Sequence, residues 1–145
     1  MAKEISTQIT INSRPEKIWS LLSNTEGYPN WNPFIKSIKG TLAVGNKIEV
    51  VIQAPESKGM TFRPIILAFE KNKEFRWLGH LLFPGLFDGE HKFELIDNKN
   101  GTTTFIQSEK FKGILVPLFA KMLDNNTKRG FDLMNEKLKH LAEEI

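Results

Sequence analysis

The sequence predicts an α+β domain in which an antiparallel sheet wraps around a long C-terminal helix. Three observations predict it. Six strand-like runs separated by turn residues fill the middle of the chain. A strand and a short amphipathic helix precede them. A stretch with apolar residues at steps of three or four closes the chain. At 145 residues the chain suits one domain, 1–145, able to bury a core of its own.

The first element, "ISTQITI" at 5–11, alternates apolar and polar residues, the period of a half-buried strand. In "NSRPEKIWSLL", Ser13 and Glu16 stand at capping-box spacing and Pro15 suits a first helical turn. Ile18, Trp19 and Leu22 then form one apolar helical face. In "GYPNWNPFIKSIKG", Pro29 and Pro33 bracket Trp31. The residue before each proline is driven toward extended geometry. This stretch reads as a rigid corner with Trp31 as its anchor, leading from the first helical segment to the sheet.

Strands are expected at 35–39, 47–53, 61–70, 74–81, 90–96 and 102–111. The separators "AVGN", "APESKG", "KNK", "FPGLFDG" and "DNKNG" are turn-like. In the last segment, Phe119, Leu123, Thr127, Gly130, Met134, Leu138 and Leu141 line one face of a long helix.

Composition narrows the function classes. Hydrophobic residues make up 40% and charged residues 26%, an ordinary globular balance. No apolar run is long enough to span a membrane, the N-terminal residues do not read as a secretory signal, and cysteine is absent, so the expected compartment is cytoplasmic. Without cysteine there are no disulfides and no thiolate chemistry. The net charge of +3 is scattered rather than gathered into a basic stripe, so no nucleic-acid partner is expected. His80, His91 and His140 have no ligand spacing, and the phosphate-loop, dinucleotide and metalloprotease patterns are missing, so neither metal nor cofactor is expected. Oligomeric state leaves no trace in the sequence.

The hairpin over 90–111 carries the chemistry. One parity, Glu90, Lys92, Glu94, Thr104, Ser108, Lys110 and Lys112, faces solvent, with Ile106 its only apolar member. The other, His91, Phe93, Leu95, Phe105, Gln107, Glu109 and Phe111, faces the core. A five-residue loop sets His91 opposite Glu109 and Phe93 opposite Gln107. A buried carboxylate costs roughly several kcal/mol unless paired or hydrated. Glu109 therefore needs a partner: His91, Arg63 on the 61–70 strand, or water in a cavity. Either the pair is a structural ion pair beneath the helix, or it is a polar anchor in an apolar pocket. Asn126, Thr127 and Gly130 interrupt the apolar stripe of the helix. They either leave room facing the sheet, or Gly130 permits close packing while Asn126 is exposed.

The segments "YPNWNPFI", "FRP", "RWLG", "PGLFDGEHKFEL", "TTTFIQSEKFKG" and "GFDLMNEKLK" run in order over nearly the whole chain. Together they resemble the polyketide cyclase/dehydrase-type branch of the START-like (SRPBCC, Bet v 1-like) superfamily. The resemblance implies a helix-grip fold: a seven-stranded antiparallel sheet, two short helices between strands 1 and 2, and a cavity between sheet and last helix. It implies cavity walls at Trp77, His91, Phe93, Gln107, Glu109 and Phe111 and at the helix residues Phe119, Leu123, Asn126, Thr127 and Met134, with Arg63 beside them. No catalytic set carries over; His91 and Glu109 are only weak candidates.

An up-and-down strand order puts residues 54–60 and 82–89 at one end, with the proline corner. Comparable loops in START-like hormone receptors act as lids. An entrance edged by Pro55, Met60, Phe83, Leu86, Phe87 and Trp31 is therefore expected; alternatively, the 82–89 loop folds back on the last helix and closes the core. The leading functional expectation is non-catalytic binding of an apolar or amphipathic small molecule, a lipid or polycyclic compound. The second is a cyclase, dehydratase or hydrolase with His91 as general base tuned by Glu109. The third is a protein-interaction module, as in chaperone co-activators of related fold, using the greasy loop at 82–87.

Overall fold

The computed structural model describes residues 2–145 and contains two antiparallel sheets. The main sheet holds β1 (Ala2–Ile11), β5 (Ile65–Glu70), β6 (Glu74–His80), β7 (Asp88–Asp97) and β8 (Thr103–Lys112), in the order β1-β8-β7-β6-β5. The second holds β2 (Ile35–Lys39), β3 (Glu49–Ile52) and β4 (Met60–Phe62) in sequence order. A bridge between Lys47 and Ile65 joins them, and the Ile48 N–H donates to the Pro64 carbonyl at 3.0 Å.

The antiparallel sheet and long final helix expected from the sequence are present, but with eight strands in place of seven. The run expected at 61–70 divides at Pro64. Proline has no N–H for a ladder, so the chain leaves β4, paired to β3, and re-enters as β5, paired to β6.

The final helix is continuous from Val116 to Glu143, yet not uniform. α3 (Val116–Met122) and α4 (Lys128–Glu143) are joined by a π-helical turn at Leu123–Thr127, with right-handed helical backbone at both junctions. α4 packs on the inner face of the main sheet, where Phe131, Met134 and Leu138 meet a core including Phe75, Phe93 and Phe105. No described helix is long and apolar enough to cross a membrane.

Two short helices, α1 (Pro15–Ser23) and α2 (Tyr28–Trp31), separate β1 from β2. The expected capping box does not form. Arg14 is the N-cap and makes no side-chain capping bond. The entry to α1 is held from outside instead: Thr103 Oγ1 donates to the Ser13 carbonyl at 2.8 Å, and the Asn12 N–H donates to Glu143 at 2.7 Å. With Pro15 at the helix start, one unsatisfied N–H of the first turn is already removed.

The deep anchor of the proline corner is Tyr28, not Trp31. Tyr28 is wholly buried, and its hydroxyl donates to the Leu22 carbonyl at 2.6 Å. Burial pushes its phenol well above the usual tyrosine range. Trp31 is half-buried and packs edge-on to Tyr28 at 5.4 Å. Asn32 Oδ1 accepts the Phe34 and Ile35 N–H groups at 2.9 and 2.8 Å, turning the chain into β2.

Candidate functional site

The β7–β8 register is the one the five-residue loop dictates: His91 faces Glu109, and Phe93 faces Gln107. Alternation then sends His91, Phe93, Leu95, Phe105, Gln107 and Phe111 inward, all buried. Ser108, expected on the solvent face, is also buried.

A buried chain of polar groups runs through this face. His91 Nδ1 lies 3.0 Å from Glu109 Oε1, and His91 Nε2 lies 3.0 Å from Gln107 Oε1. The Gln107 amide nitrogen donates to Asn135 Oδ1 at 2.8 Å and to the Phe131 carbonyl at 3.4 Å. Asn135 Nδ2 donates to Thr7 Oγ1 at 2.8 Å, and Thr7 donates to the Gln107 carbonyl at 3.0 Å. The Phe131 carbonyl can only accept, so it fixes which way the Gln107 amide points. Gln107 Oε1 is therefore the acceptor, and His91 carries a hydrogen on Nε2.

His91 has no exposed surface. Its ring stacks on Trp77 at 5.0 Å, 13° from parallel, and meets the edges or faces of Phe93 and Phe131 at 4.9 and 5.1 Å. The partner of Glu109 is thus His91. Arg63, the alternative, sits at the surface 3.5 Å from Glu49.

Next to this chain lies a cavity of about 210 Å³. Val50, Ile52 and Phe62 of β3 and β4 form one wall. Trp77, Gly89, Glu109 and Phe111 of the main sheet form the second, and Phe119, Leu123 and Thr127 of the helix the third. Ala54, Ser57 and Lys58 edge it on one loop, with Met60 at the start of β4, and Leu81 and Phe87 edge it on another. Apart from Ser57, Lys58, Glu109 and Thr127, the lining side chains are apolar. Thr127 closes the π-helical turn and Leu123 opens it; such turns recur at functional sites.

The expected site residues therefore divide. Trp77, Glu109, Phe111, Phe119, Leu123, Thr127, Met60 and Phe87 line the cavity. His91, Phe93, Gln107 and Met134 do not; they are fully buried in the core behind its wall. Arg63 is exposed and also absent from the lining. Asn126 turns away and donates to the Pro55 carbonyl at 3.2 Å, tying the helix to the 54–60 loop; neither residue lines the cavity. Trp31 stays with Tyr28.

The 82–89 loop folds back on the helix start and still reaches the cavity. The Ile114 and Leu115 N–H groups donate to the Gly85 and Leu86 carbonyls at 3.1 Å each, while Phe87 packs on Phe111 and Phe119 at 5.6 and 5.3 Å. Leu82 and Phe83 point to solvent, 85% and 55% exposed.

Phe34, Val50, Ile52 and Phe62 are lining residues that sequence reasoning did not name; Lys58 and Gly89 lie in the 54–60 and 82–89 loops expected to flank the entrance. Gly89 carried a signal. It continues the inward parity of His91 and Phe93, and a residue with no side chain there opens space. A Cβ at Gly89 would overlap Glu109 Oε2, so the carboxylate tucks over the glycine.

Among family models, the one described as polyketide cyclase / dehydrase and lipid transport matches residues 2–143. A comparison with curated protein sequences gives no significant match. Among solved structures, the fold is similar to the di-domain ARO/CYC BexL from the BE-7585A biosynthetic pathway, with a TM-score of 0.80 at 9% identity. That match covers 99% of this chain and 51% of BexL, so the chain spans about half the length of that protein. It is also similar to the Zhui aromatase/cyclase from Streptomyces sp. R1128, with a TM-score of 0.75 at 11% identity over 99% of this chain and 94% of that one. A START superfamily protein from Mycobacterium smegmatis gives 0.70 at 16% identity, over 95% and 98% of the two chains. At such identities the likeness is one of fold.

Proposed function

The chain belongs to the polyketide cyclase/dehydrase and lipid-transport family of START-like folds, and from that premise we propose that it binds a small apolar or amphipathic molecule in the cavity between the sheets and the helix. One observation supports this most: an apolar cavity with a single carboxylate, Glu109, on its inner wall. Small-molecule sites combine apolar walls with a few placed polar groups in this way. The volume of about 210 Å³ falls below the roughly 300–1,000 Å³ of drug-sized sites. It suits a compact ligand, or one end of a longer molecule with the remainder at the mouth.

The test is uptake of an apolar dye, Nile red, together with native mass spectrometry of the gently purified protein. Wild type is expected to take up the dye or to carry a co-purified small molecule. Ala54→Trp, which fills the mouth, is expected to abolish uptake with an unchanged circular dichroism spectrum. Uptake that ignores the filling would place binding elsewhere.

The carboxylate–imidazole pair at the cavity wall favours a second reading, a cyclase-type reaction on the bound ligand. His91 does not reach the cavity, so the group in contact with a substrate would be Glu109, with His91 holding the shared proton behind it. Turnover of a cavity-bound polyketide-like compound by wild type and not by Glu109→Gln is the expected result. Equal turnover by both would remove Glu109 from the chemistry.

A further inference from the structure

Glu109 places one oxygen in each of two environments. Oε1 faces His91 Nδ1 at 3.0 Å, and Oε2 lies over Gly89, a residue of the cavity wall. The hydrogen-bond chain behind His91 determines what Oε2 can do. The Phe131 carbonyl orients Gln107, Gln107 Oε1 accepts from His91 Nε2, and one proton is left between His91 Nδ1 and Glu109 Oε1. If that proton sits on Nδ1, Glu109 is a carboxylate and Oε2 accepts. If it sits on Oε1, it is donated to Nδ1, and Oε2 is a carbonyl oxygen that still accepts. Either way, the cavity receives an acceptor and no donor from this residue.

We infer that the ligand carries a hydrogen-bond donor, a hydroxyl or an amine N–H, at its inner end, and that molecules ending in a carboxylate are refused at that position. This rests on the cavity being the binding site. Among the described residues, the only cationic side chain on the lining is Lys58, and it belongs to the mouth loop. An acidic group would find its counter-charge there, not at depth. Thr127 can donate or accept, so it does not discriminate. A ligand carboxylate beside Oε2 would bring two acceptors together in an apolar site, leaving both unpaired.

Dodecanol, dodecylamine and dodecanoate share one tail and differ in the head group. Each is titrated against protein-bound Nile red at neutral pH. Dodecanol and dodecylamine are expected to displace the dye at concentrations about tenfold or more below dodecanoate, the size of one charge-assisted hydrogen bond. Glu109→Gln is expected to keep the alcohol in place, because its amide N–H can donate to Nδ1 and its oxygen still faces the cavity. Glu109→Met is expected to erase the preference for alcohol over acid. Dodecanoate competing as well as dodecanol on wild type overturns the inference, and that result does not depend on any variant folding. A preference that survives in Glu109→Met overturns it too. Equal binding of all three probes leaves the cavity reading standing and sinks only the donor requirement, whereas binding of none, with no dye uptake, sinks both.

Discussion

The ring of Phe34 occupies the space that a side chain on residue 130 would need. A Cβ built on Gly130 would collide with the Phe34 ring atoms Cδ1 and Cε1. Phe34 has 1% exposure and packs edge-on to Phe131 at 5.4 Å. The break in the helix stripe at Gly130 is therefore a slot for an aromatic ring, not vacant space. It brings the corner before β2 against α4 and makes Phe34 part of the cavity wall.

Gly130→Ala is expected to destabilise the fold by about 1–3 kcal/mol, the usual cost of overpacking a filled core. This runs against helix propensity, which favours alanine by about 1 kcal/mol. Urea unfolding would show the midpoint falling. Adding Phe34→Leu should recover part of the loss as a coupling energy. A neutral or stabilising Gly130→Ala would mean that the ring yields without cost.

Asn135 bridges two buried groups, the Gln107 amide and the Thr7 hydroxyl. It accepts from Gln107 and donates to Thr7, both at 2.8 Å. Asn135→Leu leaves the Gln107 N–H with only the Phe131 carbonyl at 3.4 Å. The expected cost is about 1–3 kcal/mol for a stranded group. Combining it with Gln107→Leu should cost less than the sum of the single changes, since both partners then leave together. Strict additivity in denaturant unfolding would show that the two amides do not depend on each other.

The β7–β8 hairpin was legible because alternation and a five-residue loop admit one register that buries the phenylalanines. The same parity put His91 and Glu109 on one face, but depth along that face is not written in parity. Trp77 stacks on His91, leaving Glu109 as the member of the pair that reaches the cavity. Pro64 was visible, yet its effect depended on the neighbours β3 and β6, which take the two halves of the broken strand. The π-helical turn at Leu123–Thr127 was hidden because steps of three and four absorb one extra residue. Asn135 pairs with residues far away in the chain, so no local pattern marked it.

Gly89 lies in extended backbone outside the left-handed region, so its replacement is tested on space alone. Gly89→Ala is expected to fold normally and to displace the Glu109 carboxylate from His91. The ¹⁵N NMR signal of His91 Nδ1 should shift while that of Nε2, held by Gln107, changes little. Preference for dodecanol over dodecanoate should fall with it. An unmoved Nδ1 signal would show that Glu109 accommodates the methyl without releasing the imidazole.

Glu143 clasps the end of α4 to the start of α1. Its carboxylate accepts from Lys139 Nζ at 2.6 Å and from the Asn12 N–H at 2.7 Å. The Lys139 hydrogen bond first, and the Asn12 N–H second, hold its pKa below the usual glutamate range. A carboxyl depressed in the folded state adds stability above its unfolded pKa, and that contribution disappears as pH falls through the folded value. Glu143→Gln keeps an acceptor for Asn12 but has no charge. It is expected to lower the Tm at neutral pH, and the gap to wild type should close as pH falls well below the ordinary value of about 4.3. The comparison is made as a difference between the two proteins at each pH, because other carboxylates titrate over the same span. A gap that stays constant from neutral to acid pH would show that shape, not charge, makes the clasp.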